Sequence, residues 1–421
     1  MLKINSLFDR PSRAIGFMGS LLFSLTAVGQ ESTVDLAAIQ SALIPKREVG
    51  ADVFIAENPT YDGRDVIIAV FDTGVDPAAP GLQVTTTGER KVIDIIDGSG
   101  SGDVNTAQIV ERNEDGTLSG LTGLTLTLPE SVENPTGEFR VGMKPAVELF
   151  PSDALARLKA QVKSEWEAEL AMLNHRAERT DNADLEAAKE TAADDRTLEQ
   201  RDLIALQEAK EALEAGYADA GPGLVYDCVV WHDGTDWRVV VDANRNGDLG
   251  DDVLLRPYGI AGEYGTFDPS TNATYGVQIY EGGDLLSIVT TAGSHGTHVA
   301  SISAAHDPEN ANRNGVAPGA RILSVKIGDT RVGGSSYGTG ERRAVAMAAK
   351  YGVDLTNISY GGSSTYQDGS DQFSTNFENM VRRYDILTIM SAGNEGPALS
   401  TAGTAGGEAD FILGVGAHSS A

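Results

Sequence analysis

The sequence predicts an α/β fold built on a parallel sheet and interrupted by a long α+β insertion. Three observations carry that expectation. Val66 to Val70 form an unbroken apolar run that passes straight into a Gly/Pro-rich turn, "FDTGVDPAAPG", as a buried parallel strand does. From Gly293 onward strands and helices alternate, which implies a parallel sheet with right-handed crossovers. Between these stretches lies a segment of different texture, charged and helical from Pro151 to about Gly216 and then alternating from Leu224 to Asp242.

Each element follows from local pattern. "HGTHVASISAA" reads as a helix of small residues fit for close burial, "ARILSVKIG" as a strand, and "GERRAVAMAAKYG" as a helix ending at Gly352. "VDLTNISYGG", "DILTIMSAGNEGP" and "ADFILGVGAHS" read as three further strands with their turns. In the insertion Leu155, Leu158, Val162, Trp166, Leu170 and Leu173 step by three or four, and Leu203, Leu206, Ala209 and Leu213 repeat the step. A polar interruption separates the two runs, so a protruding antiparallel helical hairpin is expected, an interaction or spacer element. "LVYDCVVWHDGTDWRVVVD" reads as a β-hairpin turning at "HDGTD".

Composition limits the function. The 421 residues carry a formal charge of −29, which repels phosphate and argues against nucleic acid or anionic membranes as partners. The amino terminus places Lys3, Arg10 and Arg13 before an apolar run, Ala14 to Val28, and "AVG" before Gln30 fits a signal-peptidase site. The run is short for a membrane span. Residues 1–29 are therefore expected to be a signal peptide and the protein to be exported, with an uncleaved anchor or an amphipathic helix as the alternatives. The single cysteine, Cys228, allows no internal disulfide.

Three glycine-flanked polar residues stand at the ends of buried strands or the start of a helix: Asp72 in "AVFDTGVD", His295 in "SHGTHVA" and Asn394 in "SAGNEGP". A carboxylate can fix an imidazole tautomer, the imidazole can take a proton from a nucleophile, and an amide N–H can donate to an oxyanion. Together they are parts of an acyl-transfer site. His298, three residues after His295, is expected to pack and hydrogen-bond on the same helix, and Asp76 to cap a turn. No zinc pattern surrounds the two histidines. The loop "DANRNGDLGDD" offers oxygens at Asp242, Asn244, Asn246 and Asp248 with Gly247 at the sharp turn, like the first half of an EF-hand loop. Val253 stands where the bidentate glutamate would be, so a plain acidic turn and a calcium site both stay open. No metal or other cofactor is assigned.

These blocks, in the order Asp then His then Asn, resemble the subtilisin-like serine peptidases. The resemblance implies that Asp72 orients His295, that His295 is the general base and that Asn394 donates to the oxyanion. It also implies that Ser359, Tyr360 and Gly361 in "NISYGG" pair with a peptide backbone, with Gly333 to Gly340 as the facing wall. Asp72 and His295 are 223 residues apart, where ordinary subtilisins leave a few dozen. That insertion, with "VIDIIDGSGSGDV", "LLSIVTTAGSHGTHVAS" and "GVAPGARILSVKIGDTR", is similar to the tripeptidyl peptidase II group over residues 55 to 420.

The pattern departs from that group at two places. The group reads a substrate's free amino terminus with two glutamates, and the matching positions hold Gly362 and the Ser335–Tyr337 stretch; Glu341 is nearby but offset. An endopeptidase or relaxed specificity is therefore as credible as tripeptide release. The group's serine lies in a "GTSMAAP"-like block some dozens of residues past the asparagine, and none occurs in the 27 residues after Asn394. "GSSYG" (334–338) sits in the cleft wall and is read as chance. The expectation is a chain that stops before its nucleophile, with a sheet incomplete at the carboxyl end. The alternative is an inactive pseudoprotease that binds peptides. The expected layout is a lead-in at 30–60, the first part of the catalytic domain at 61–128, the insertion at 129–285 and the second part at 286–421. Peptide or protein substrates are implied, and self-association into a homo-oligomer is compatible with the resemblance.

Overall fold

Strand β1 owes its place to the apolar run that precedes Asp72, since a strand without polar positions is stable only when both its faces are covered. The computed structural model describes residues 46–178, 182–219, 224–362, 366, 368–396, 398, 401–403 and 408–417. The expected signal peptide lies outside them. In chain order the lead-in forms a short exposed helix, α1 (Ala51–Glu57), followed by β1 (Ile67–Asp72) and β2 (Val92–Asp97). The insertion opens with β3 (Asp103–Asn105), β4 (Gln108–Val110) and β5 (Phe139–Pro145). Helices α2 (Ser152–Glu178), α3 (Asn182–Glu190) and α4 (Leu198–Asp219) come next. Strands β6 (Val225–His232), β7 (Trp237–Val241), β8 (Gly265–Thr266), β9 (Thr274–Tyr280) and β10 (Leu285–Val289) follow. The α/β pattern then resumes with α5 (His295–Ala304), β11 (Arg321–Lys326), α6 (Gly338–Tyr351) and β12 (Leu355–Ile358). It continues through α7 (Gln372–Tyr384), β13 (Leu387–Ser391) and β14 (Leu413–Val415).

The central sheet has six parallel strands in the order β14-β13-β12-β1-β11-β2, with β1 in its interior. On one face Phe71, Leu323 and Val325 pack with Ala344, Ala348, Phe377 and Met380 of α6 and α7. On the other face Val70 and Ile322 pack with Ala300 and Ala304 of α5 and with Val289 of β10. The result is a three-layer α/β domain. At the edge strand β14, Leu413 and Val415 are 54% and 51% exposed.

Among the elements not anticipated are β2 and α7. The run Val92–Asp97 carries two aspartates, Asp94 and Asp97, which hide a strand that is nonetheless almost wholly buried. Helix α7 has a signal that could have found it: Phe373, Phe377 and Met380 at helical spacing, behind an Asp371 that accepts from the Ser374 N–H.

The insertion supplies two antiparallel sheets, β8-β9-β10-β3 and β4-β5-β6-β7. Their strands begin at Asp103 and end at Val289, so they take in chain on both sides of 129–285. The helical pair α2 and α4 forms as its spacing predicts and is rooted in the body through Ala154 and Leu158, which pack with Leu224, Tyr226 and Phe267. The connector read as a polar interruption contains α3 instead. "NADLEAAKE" lacks an apolar stripe but is made largely of strong helix formers, and Ala188 is fully buried. Among the described residues no helix is long and apolar enough to cross a membrane.

Candidate active site

Parallel strands deliver their carboxyl ends to one edge of the sheet, where α/β domains place their chemistry. Asp72 is the last residue of β1 and is fully buried. His295 is the first residue of α5, with its side chain 53% exposed. Its Nδ1 lies 2.8 Å from Asp72 Oδ1 and 3.0 Å from Oδ2, so Nδ1–H donates to the carboxylate and Nε2 is left to face a reactant. The backbone N–H of Thr73 also donates to Oδ1, at 2.7 Å. Burial pushes the Asp72 pKa above the usual carboxylate range, and the Thr73 N–H and the imidazole oppose that push.

The approach depends on a glycine. A Cβ at Gly296 would sit 2.4 Å from the carbonyl oxygen of Gly74, so only glycine lets the turn after β1 lie against the start of α5. Asp76 caps its turn as expected, accepting from the Ala78 N–H at 2.8 Å, and it also accepts from the Thr274 hydroxyl of the insertion at 2.7 Å. The expectation that His298 packs on its helix is corrected: the residue is exposed, on the same open face of α5 as the half-exposed His295 three residues before it.

Ser359, Tyr360 and Gly361 follow β12, the strand next to β1. The Ser359 hydroxyl donates to Asn357 Oδ1 at 3.0 Å. Tyr360 is partly buried, and its hydroxyl donates to the carbonyl of Gly334 in the facing loop, so it ties the two expected walls of the cleft together. Burial pushes its phenol up to about 12, which keeps it a neutral donor. Asn394 lies three residues past β13 at the same edge of the sheet; it is exposed, and its backbone N–H donates to Glu395 Oε2 at 2.9 Å.

Glu341 does not face the cleft. It is 4% exposed, and its carboxylate accepts from the Ser336 hydroxyl at 3.0 Å and from the Asn376 amide at 2.5 Å. Those bonds also occupy the serine of "GSSYG". In the acidic loop, Asp242 accepts from the N–H groups of Asn246 and Gly247, both at 3.0 Å, and Asn246 Oδ1 accepts from the Asp248 N–H at 2.7 Å. These bonds turn the chain through the loop. Among the described residues no group of three or more His, Cys, Asp or Glu side chains is arranged to hold a metal ion.

A three-layer domain with an Asp–His pair at the carboxyl end of its parallel sheet defines the class, and comparison with known proteins gives the family. The model of the subtilase family, peptidase family S8, matches residues 63–421, and the chain belongs to that family. It is 41% identical over 386 residues to tripeptidyl-peptidase 2 of Arabidopsis thaliana and 36% identical over 405 residues to that of Caenorhabditis elegans. These matches cover 90% and 95% of this chain but 28% and 29% of the relatives, so the chain spans less than a third of their length. The crystal structure of a tripeptidyl peptidase 2 aligns with a TM-score of 0.64 and 26% identity, covering 87% of this chain and 29% of that one.

Proposed function

We propose that this chain carries the acid–base half of a subtilisin-type serine peptidase of the tripeptidyl peptidase 2 kind. The observation that carries the reading is the His295 Nδ1–Asp72 pair, with a sealed carboxylate and an exposed ring. Asp72 fixes the tautomer and stabilises the imidazolium. Through Nε2, His295 takes the proton of a serine hydroxyl as it attacks the peptide carbonyl and returns it to the leaving amine. Asn394 donates its amide to the developing oxyanion. The backbone at Ser359, Tyr360 and Gly361 aligns an extended peptide by strand addition. The attacking group in this reading is a serine in a Gly-Thr-Ser-type block, and the gene beyond codon 421 tells whether one is encoded. A gene without such a block, in a protein that binds peptides and leaves them whole, would support a pseudoprotease instead.

The finer specificity rests on Glu341, whose carboxylate is held inward by Ser336 and Asn376 and so gives no counter-charge to an α-amino group. Relaxed or endopeptidase cleavage follows. The protein expressed from its full reading frame should cut amino-blocked peptides about as well as free ones. A loss of 100-fold or more on blocking would restore strict tripeptide release. The amino-terminal pattern further supports export, and a mature protein beginning near Gln30 in the extracytoplasmic fraction is the expected finding.

A further inference from the structure

The helix that presents His295 begins without a cap of its own. Ser294 holds the N-cap position of α5 in a helical conformation, φ −80° and ψ −10°, and makes no side-chain cap hydrogen bond. The first N–H groups of a helix have no acceptor within it, and Gly296, the second residue of α5, is buried away from water. Its acceptor comes from another element: the Gly296 N–H donates to Thr73 Oγ1 at 2.9 Å. The same hydroxyl donates to the Gly293 carbonyl at 2.8 Å, and the Thr73 carbonyl accepts from the Ala292 N–H at 2.8 Å. The Thr73 N–H is the donor to Asp72 Oδ1 already described. One residue thus makes three hydrogen bonds to the turn around His295 and one to the carboxylate that His295 faces.

We infer that Thr73 is a positioning residue, a helix cap supplied across the fold that holds the His295 backbone in register with Asp72. This rests on the reading of His295 as the general base. The logic is geometric. The imidazole is half exposed and its Nδ1 is held by the Asp72 carboxylate, so drift of the 292–296 turn would stretch the Nδ1–carboxylate contact directly. A hydroxyl is required because the turn presents one donor and one acceptor, Gly296 N–H and Gly293 C=O, and a single hydroxyl answers both. Valine, of the same shape, answers neither. Serine answers both.

The test uses the full chain labelled with ¹⁵N-histidine; it has six histidines, and the His295 signals are those lost in His295→Gln. The wild type should show a slowly exchanging, far-downfield Nδ1–H proton and an Nδ1-protonated ring. Asp72→Asn should abolish that proton. Thr73→Val should abolish it or reduce it severalfold and mix the tautomers, whereas Thr73→Ser should restore it. A merely structural threonine would lower the melting temperature and leave the resonance in place, so Thr73→Val at wild-type intensity overturns the inference. If the wild type lacks the proton, or Asp72→Asn leaves it unchanged, the Asp72–His295 reading itself fails and takes the inference with it. Should Thr73→Val not fold, Thr73→Ala is the milder variant, with the same loss expected and the same retention overturning it.

Discussion

Asp72 is sealed while the ring it holds stands open, and that asymmetry sets what each can do. A buried carboxylate with fixed donors cannot reorganise, so it acts through His295. In the protein expressed from its full reading frame, Asp72→Asn should lower kcat by about 10⁴-fold, the scale for neutralising the orienting carboxylate of a serine triad. On the proposed reading, Asn394→Ala should cost roughly 10²–10³ in kcat with little change in KM, since its bond would form only as the oxyanion does. Steady-state kinetics on peptide substrates check both. Asp62 gives a pH effect. Hydrogen bonds from the Arg64 side chain, ahead of the opposing burial, hold its carboxyl down to about 2, below the unfolded value of roughly 3.9. The unfolded chain therefore binds the proton more readily, and the stability this group contributes is present above pH 4 and lost as pH falls toward 2. Asp62→Asn should flatten that limb in urea unfolding from pH 5 to 2; an unchanged slope would refute it.

At the scale of elements, the join between the neighbouring strands β2 and β11 is ionic at their carboxyl ends. Lys326, the register partner of Asp72 on the neighbouring strand, is fully buried, with Nζ 2.7 Å from Ser101 Oγ and 3.5 Å from Asp97 Oδ2. Burial pulls its ammonium down and Asp97 holds it up. Removing one partner leaves an unpaired buried charge, so Lys326→Met or Asp97→Asn should cost about 3–5 kcal/mol. Denaturant unfolding measures this, and a loss under 1 kcal/mol would contradict the pairing. The helical arm predicts the opposite. Beyond its root at Ala154 and Leu158, α2 is mostly exposed, so replacing its outer part and α3 by a short Gly/Ser linker should leave the melting temperature within a few degrees. Elements with a strong period were legible: β1, α5, α6, the β-hairpin and the arm. β2 was not, because Asp94 and Asp97 break its apolar pattern; each is buried with partners from elsewhere, Gln278 and Tyr351 for one and Lys326 for the other. α3 was hidden by its lack of an apolar stripe.

At the scale of the whole molecule, the fold brings together what 223 residues of sequence separate. β1 and β11 pair in parallel from Ile67 with Arg321 to Asp72 with Lys326, while α5 enters from the end of the insertion's last strand. Gly296→Ala tests how tightly these parts close: a methyl 2.4 Å from the Gly74 carbonyl must push α5 off β1, and a marked fall in melting temperature together with loss of activity is expected. The sequence by itself determined the fold class, the Asp, His and Asn blocks and the family resemblance, because apolar runs, periodicity and short glycine-flanked motifs are local properties of the chain. Only the tertiary structure decided that His298 is exposed, that Glu341 turns inward, that Tyr360 bridges the two walls and that Thr73 caps the helix of His295. Each of these depends on which group stands opposite in space, and no local pattern records that.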